Sequence, residues 1–167
     1  IVSHDFPWNS NSLIINAGDG EIVFIDTPYH NEGTEMIVSW AEKHLKGKHF
    51  TAVNTGFHID NLGGNGFLRE NGIDIYGSDL TIQLVKEKGK QTQEQIISWL
   101  QAPEMSRFKK VYENIQFVPP NIPFSINSGL HLKIGNYHFE VFYPGESHSP
   151  DNVTVYIPQK KYFSEDV

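Results

Sequence analysis

His58 and Asp60 stand two apart just after the apolar run at residues 50–53, and Gly63 and Gly64 follow them. An imidazole nitrogen and a carboxylate oxygen both bind a borderline cation such as zinc at about 2.0–2.2 Å, so this pair can serve one ion or two neighbouring ions. The same two residue types also cap helices and orient ordinary loops, and the His-x-Asp spacing alone does not separate these uses. Position adds information. Phe50, Thr51, Ala52 and Val53 predict a short buried strand, which leaves His58 and Asp60 on the loop where that strand ends. The glycine pair permits a sharp reversal from which a helix can leave the site at once.

Residues 54–65 read NTGFHIDNLGGN and residues 142–152 read FYPGESHSPDN. The first segment resembles the metal-binding segment of the metallo-β-lactamase superfamily, His-x-His-x-Asp-His followed by x-Gly-Gly. It is most similar to the form found in the mono-zinc subclass of class B β-lactamases, in which Asn replaces the first His. Here Gly56 occupies that first position, and Asn61 rather than His follows Asp60. The second segment resembles Tyr-Pro-Gly-x-x-His-[Thr/Ser]-x-Asp-Asn, which implies that His148 is a further ligand and that Asp151 and Asn152 are supporting or turn residues.

The resemblance implies a zinc-dependent hydrolase with one or two Zn2+ ions, in which His58, Asp60 and His148 serve catalysis and metal binding. Catalytic zinc has three protein ligands and a water whose pKa falls to about 7. In the two-ion form one ion would need His58, His148 and a group at Gly56. The other would need Asp60, a group near Asp166 and one more His. In the mono-zinc form Asp60 would ligate, while His58 and His148 act as base and positioning groups. The family's next ligand is a Cys in Gly-Gly-Cys or a bridging Asp in Phe-Ser-Gly-Asp. This sequence has no cysteine, and with a one-residue slip Asp166 falls at the bridging position. The other reading of Asp166 is a polar residue at a frayed end. The family's last His, and a Lys that pairs with a substrate carboxylate, would lie beyond Val167.

Three functions remain open on this reading. The first is opening of a β-lactam amide by metal-activated water. The second is hydrolysis of a lactone, thioester or phosphoester on the same fold, and the third is a degenerate, non-catalytic binding protein. A small-molecule substrate and a periplasmic or secreted location follow from the resemblance only.

The elements that must position these residues are legible in the spacing of apolar positions. Residues 12–26 hold two strand-like runs joined by Gly18, Asp19 and Gly20, an Asp-Gly hairpin signal. Met36, Ile37, Trp40, Ala41 and Leu45 recur at helical spacing over residues 31–45, with Glu35, Glu42, Lys43 and Lys46 opposite, and Trp40 is read as core packing. A strand over 73–76 precedes a helix capped by Ser78 that runs to Lys88 and stops at Gly89. Another helical stretch starts at Thr92 and is interrupted at Pro103. Arg107, Lys109 and Lys110 interleave with Glu104 and Glu113, the pattern of a solvated helix face. Residues 118–123 read as a proline-rich loop before strands at 130–134, 137–143 and 153–157. His44, His49, His131, His138, His4 and His30 are assigned no ligand role. Phe6, Pro7 and Trp8 form either an apolar flap over the substrate or a packed terminal segment.

At 167 residues and 38% apolar, the chain is long enough to bury a core within a single domain spanning residues 1–167. Its net charge of −7 argues against a nucleic-acid surface, and no apolar run is long enough to span a membrane. Ile1 opens directly on domain sequence, so a signal peptide is expected to be absent here. The expected fold class is α/β, an αββα sandwich of the metallo-β-lactamase type with its C-terminal half incomplete.

Overall fold

The computed structural model describes residues 1–3 and 9–164. Two short strands, β1 (Val2–Ser3) and β2 (Ser10–Asn11), pair antiparallel ahead of the main sheet. The predicted hairpin follows as β3 (Leu13–Gly18) and β4 (Glu21–Ile25). Its turn places Gly18, Asp19 and Gly20 all at positive φ, which explains two glycines and an aspartate there. From β4 onward the sheet is parallel: β5 (His49–Val53), β6 (Asp74–Ser78) and β7 (Ile122–Phe124) add in order, giving β3-β4-β5-β6-β7. A second, antiparallel sheet has the order β11-β10-β9-β8, from β8 (Leu130–Ile134), β9 (Tyr137–Phe142), β10 (Thr154–Ile157) and β11 (Tyr162–Ser164).

Strand alternation sorts β4 between two cores. Val23 and Ile25 face the second sheet and pack with Phe139, Val141, Val155 and Ile157. Ile22 and Phe24 face the other way, against Ile37, Val38 and Ala41 of helix α1 (Asn31–Leu45) and Leu68 of the short helix α3 (Asn65–Glu70), which follows α2 (Ile59–Leu62). A strand buried on both faces reads as a continuous apolar run, and residues 22–25 do. A third cluster joins Tyr29, Phe57, Ile59 and Leu62 to α4 (Asp79–Trp99) and α5 (Ser106–Glu113) through Leu84, Val85, Phe108 and Tyr112. On the second sheet's outer face, His131, Lys133, His138 and Phe142 are exposed.

Helix α1 has the expected bounds, but its buried stripe runs through Thr34, Ile37, Val38 and Ala41. Trp40 is not core: it is 46% exposed and stacks on His44 with centroids 5.2 Å apart. The two helices expected around Gly89 are one, α4. Gly89 is buried in its middle, and a Cβ there would sit 2.9 Å from the Phe117 Cβ. Close approach, not termination, is what this glycine supplies. Strand β7 falls where a loop is expected from Pro119, Pro120 and Pro123. It is the edge strand, where a proline's missing donor is tolerated.

Candidate metal centre

The segment carrying His58 and Asp60 leaves the end of β5 and is clamped by its own polar side chains. Asp26, at the end of β4, adopts φ +60, a left-handed conformation that costs a non-glycine residue roughly 1–2 kcal/mol. Its carboxylate recovers this by accepting from Thr55 N (2.7 Å) and Thr55 Oγ1 (2.5 Å). Asn54 Nδ2 donates to Asn61 O at 2.7 Å, and Asn65 Nδ2 donates to Asn54 Oδ1 at 2.8 Å and Val118 O at 2.9 Å. Thr27 Oγ1 accepts from Gly64 N at 2.9 Å. These groups are buried, so each bond also removes the cost of an unsatisfied polar atom.

The glycine pair has a different role from the expected reversal. Gly63 has φ −60 and Gly64 φ −94, values open to any residue. What they supply is room: a Cβ would lie 2.1 Å from Tyr29 O at Gly63 and 1.7 Å from Thr34 Oγ1 at Gly64. The segment can therefore press against the start of α1.

His58 occupies the N-cap position of α2, but its ring makes no capping hydrogen bond. The capping histidine is His30, whose Nδ1 accepts from Gly33 N at 3.1 Å. The His58 ring instead meets His148 edge to face, with centroids 4.9 Å apart and planes at 81°. Two imidazoles on one tetrahedral zinc, with Zn–N of about 2.0–2.1 Å, have centroids roughly 5 Å apart. His148 is exposed on the loop between β9 and β10. Tyr143 donates to Pro150 O at 3.1 Å across that loop, and Asn152 Oδ1 accepts from Ser147 Oγ and Ser149 N. Val153 N donates to Thr55 O at 2.9 Å, tying this loop to the His58 segment.

Asp60 follows His58 by two residues in the first turn of α2. It is half-buried and lines a cavity of about 440 Å³ with Asp26 and Asn61. Among the described residues no three His, Cys, Asp or Glu side chains are placed to hold a metal ion. The histidine pair has the right separation for zinc, but the donor set is not that of a closed zinc site. Gly56 contributes no side chain at the third position, and Asp166 lies outside the described residues, as do His4 and the proposed flap of Phe6, Pro7 and Trp8.

Burial shifts two further groups, Asp151, expected as a supporting or turn residue, and Tyr112, which sequence reading missed. Asp151 is fully buried, and Ser149 Oγ donates to its Oδ1 at 2.6 Å. Burial pushes its carboxyl above the ordinary range, against the lowering influence of Ser149, Thr81, its own backbone amide and His58. Tyr112, from α5, is also fully buried, and its phenol is pushed well above the ordinary range by burial first, then by the Asp60 carboxylate and by Tyr29. A larger groove of about 700 Å³ lies beside this region, between the start of α1 and α5, but neither His58 nor His148 lines it.

No family model matches the chain. It is 29% identical over 150 residues to a metallo-β-lactamase type 2 from Bacillus cereus, covering 90% of this chain and 47% of that protein. It is 27% identical over 149 residues to one from Bacteroides fragilis, covering 89% of this chain and 48% of the relative. The chain thus spans about half the length of the curated relatives it matches. Among solved structures, a metallo-β-lactamase from Pontibacter korlensis superposes with a TM-score of 0.71 at 28% identity, covering 93% of this chain and 58% of that one. The DIM-1 metallo-β-lactamase superposes with a TM-score of 0.68 at 27% identity, covering 93% and 56%. Sheet order, the position of the His58 and His148 segments, and these similarities in sequence and structure lead to one conclusion: the chain belongs to the metallo-β-lactamase superfamily.

Proposed function

We propose that the protein is a zinc-dependent hydrolase that opens the amide of a β-lactam, with His58, His148 and Asp60 in its active site. The observation that carries this reading is the edge-to-face pair of His58 and His148 at a separation suited to one shared ion, on two segments tied together by the bond from Val153 to Thr55. Relatives named metallo-β-lactamase align over about nine-tenths of the chain and support the assignment. In this reading the hydrogen bonds that tie the two segments would preorganise the imidazoles for the ion, with Asp60 two residues from His58. Among the described residues no helix is long and apolar enough to cross a membrane, and a secreted or periplasmic setting is proposed with the function.

Gly56 and Asn61, which stand where the family's motif has His, favour a second reading, a non-catalytic member that binds a ligand in the old cleft. Zinc content after dialysis, measured on this chain and on His58→Ala and His148→Ala, is paired with β-lactam hydrolysis followed by loss of ring absorbance. One zinc lost in both variants, together with hydrolysis, supports the hydrolase. Zinc without ring opening removes the β-lactam substrate and directs assays to lactones, thioesters and phosphoesters. Absence of both leaves the binding protein.

A further inference from the structure

His58 is the half-buried member of the imidazole pair and His148 the exposed one, so what fixes His58 fixes the pair. An imidazole turns about χ1 between staggered wells and about χ2 over a broad range, and only its neighbours select one orientation. No capping hydrogen bond does so here, although the residue stands at the N-cap of α2. The selecting contact is a ring. Phe57 lies against His58 with centroids 4.5 Å apart and planes at 49°, while His148 meets the same imidazole at 4.9 Å and 81°. Successive side chains on an extended backbone point to opposite faces, and the run of bends over residues 55–58 is what turns these two rings towards each other. Phe57 itself is anchored. It is 7% exposed and packs in the cluster of Tyr29, Leu62, Leu84, Val85 and Tyr112, which draws on α2, α4 and α5. A ring embedded in close-packed core has little freedom, whereas an unsupported His58 could leave His148 by a single χ rotation.

We infer that Phe57 is a positioning residue, whose core-anchored ring holds the His58 imidazole against His148 so that the pair is formed in the metal-free chain. The inference rests on the reading of the two histidines as donors to one ion, for which a preformed pair removes the ordering cost that a free imidazole would add on binding. Tilted ring contacts are favourable beyond the area they bury, and the groups around a ligand act on metal affinity through its orientation. An aliphatic side chain at position 57 would fill the cluster without offering a flat face, so packing and ring orientation can be separated.

The test is cross-relaxation between the ring protons of His58 and His148 in the full chain stripped of metal with chelator, with signals assigned from His58→Ala and His148→Ala. Wild type should show it. Phe57→Leu and Phe57→Met should each lose most of it while keeping a cooperative unfolding transition, because both leave an apolar side chain in the cluster. Val85→Ala, which removes volume from the same cluster on α4, should lower Tm and keep the cross-relaxation. Zinc affinity, measured by competition with a chelating dye, should weaken about 3–10-fold in Phe57→Leu and stay within about twofold of wild type in Val85→Ala. Absence of cross-relaxation in metal-free wild type overturns the inference, as does its survival in the Phe57 variants or its loss in Val85→Ala. If wild type binds no zinc, the hydrolase reading fails, and the ring measurement still decides the part played by Phe57.

Discussion

At the scale of single residues, the sequence exposes what chemistry needs by type and hides what holds it by distance. His58 and His148 stand out because few residues bind metal, and the structure brings their rings together. Asp26 and Thr55 are 29 positions apart, and no local pattern says that one carboxylate fixes the other's backbone. Asp151 carries the clearest titration consequence. Burial raises its folded pKa above the ordinary value of 3.8, so folding favours the protonated form. Its contribution to stability is fully present below the unfolded pKa and is lost as pH rises through the folded one. Asp151→Asn cannot ionise, and an amide can still accept from Ser149. The variant should therefore be more stable than wild type at pH 7, with the difference closing as pH falls towards about 4. Urea unfolding at a series of pH values checks this; a difference that widens with acidity contradicts it.

At the scale of elements, apolar periodicity located α1 and most strands, while glycine was the least reliable punctuation. A glycine can end a helix or admit a neighbour, and only the neighbour decides. Gly89 looks like a C-cap after Lys88, yet α4 runs through it because Phe117 crosses at that point. Gly89→Val forces a branched side chain into the Phe117 contact and should cost about 1–3 kcal/mol through overpacking. Chemical denaturation measures it. A neutral result would mean that α4 and the Phe117 segment separate easily. Gly63 and Gly64 carry the same lesson, since their φ values are ordinary and their necessity comes from Tyr29 and Thr34.

At the scale of the whole molecule, stability rests on the interface between the two sheets. Phe139 is fully buried there, among Val23, Ile25, Val141 and Val155. Phe139→Ala should cost about 3–5 kcal/mol, whereas Phe142→Ala on the exposed face should stay within about 0.5 kcal/mol. Equilibrium unfolding in urea compares the two, and equal losses would show that the second sheet's outer face is also packed against protein. Apolar alternation was enough to expect an α/β chain, and the resemblance of residues 54–65 and 142–152 to the superfamily's motifs pointed to the family and to His58 and His148, because those signals are local. The meeting of the His58 and His148 rings, the clamp on the His58 segment and the burial of Asp151 came only from tertiary structure. Each depends on which distant segments meet when the sheets stack, and contacts of that range leave no periodic trace in one sequence.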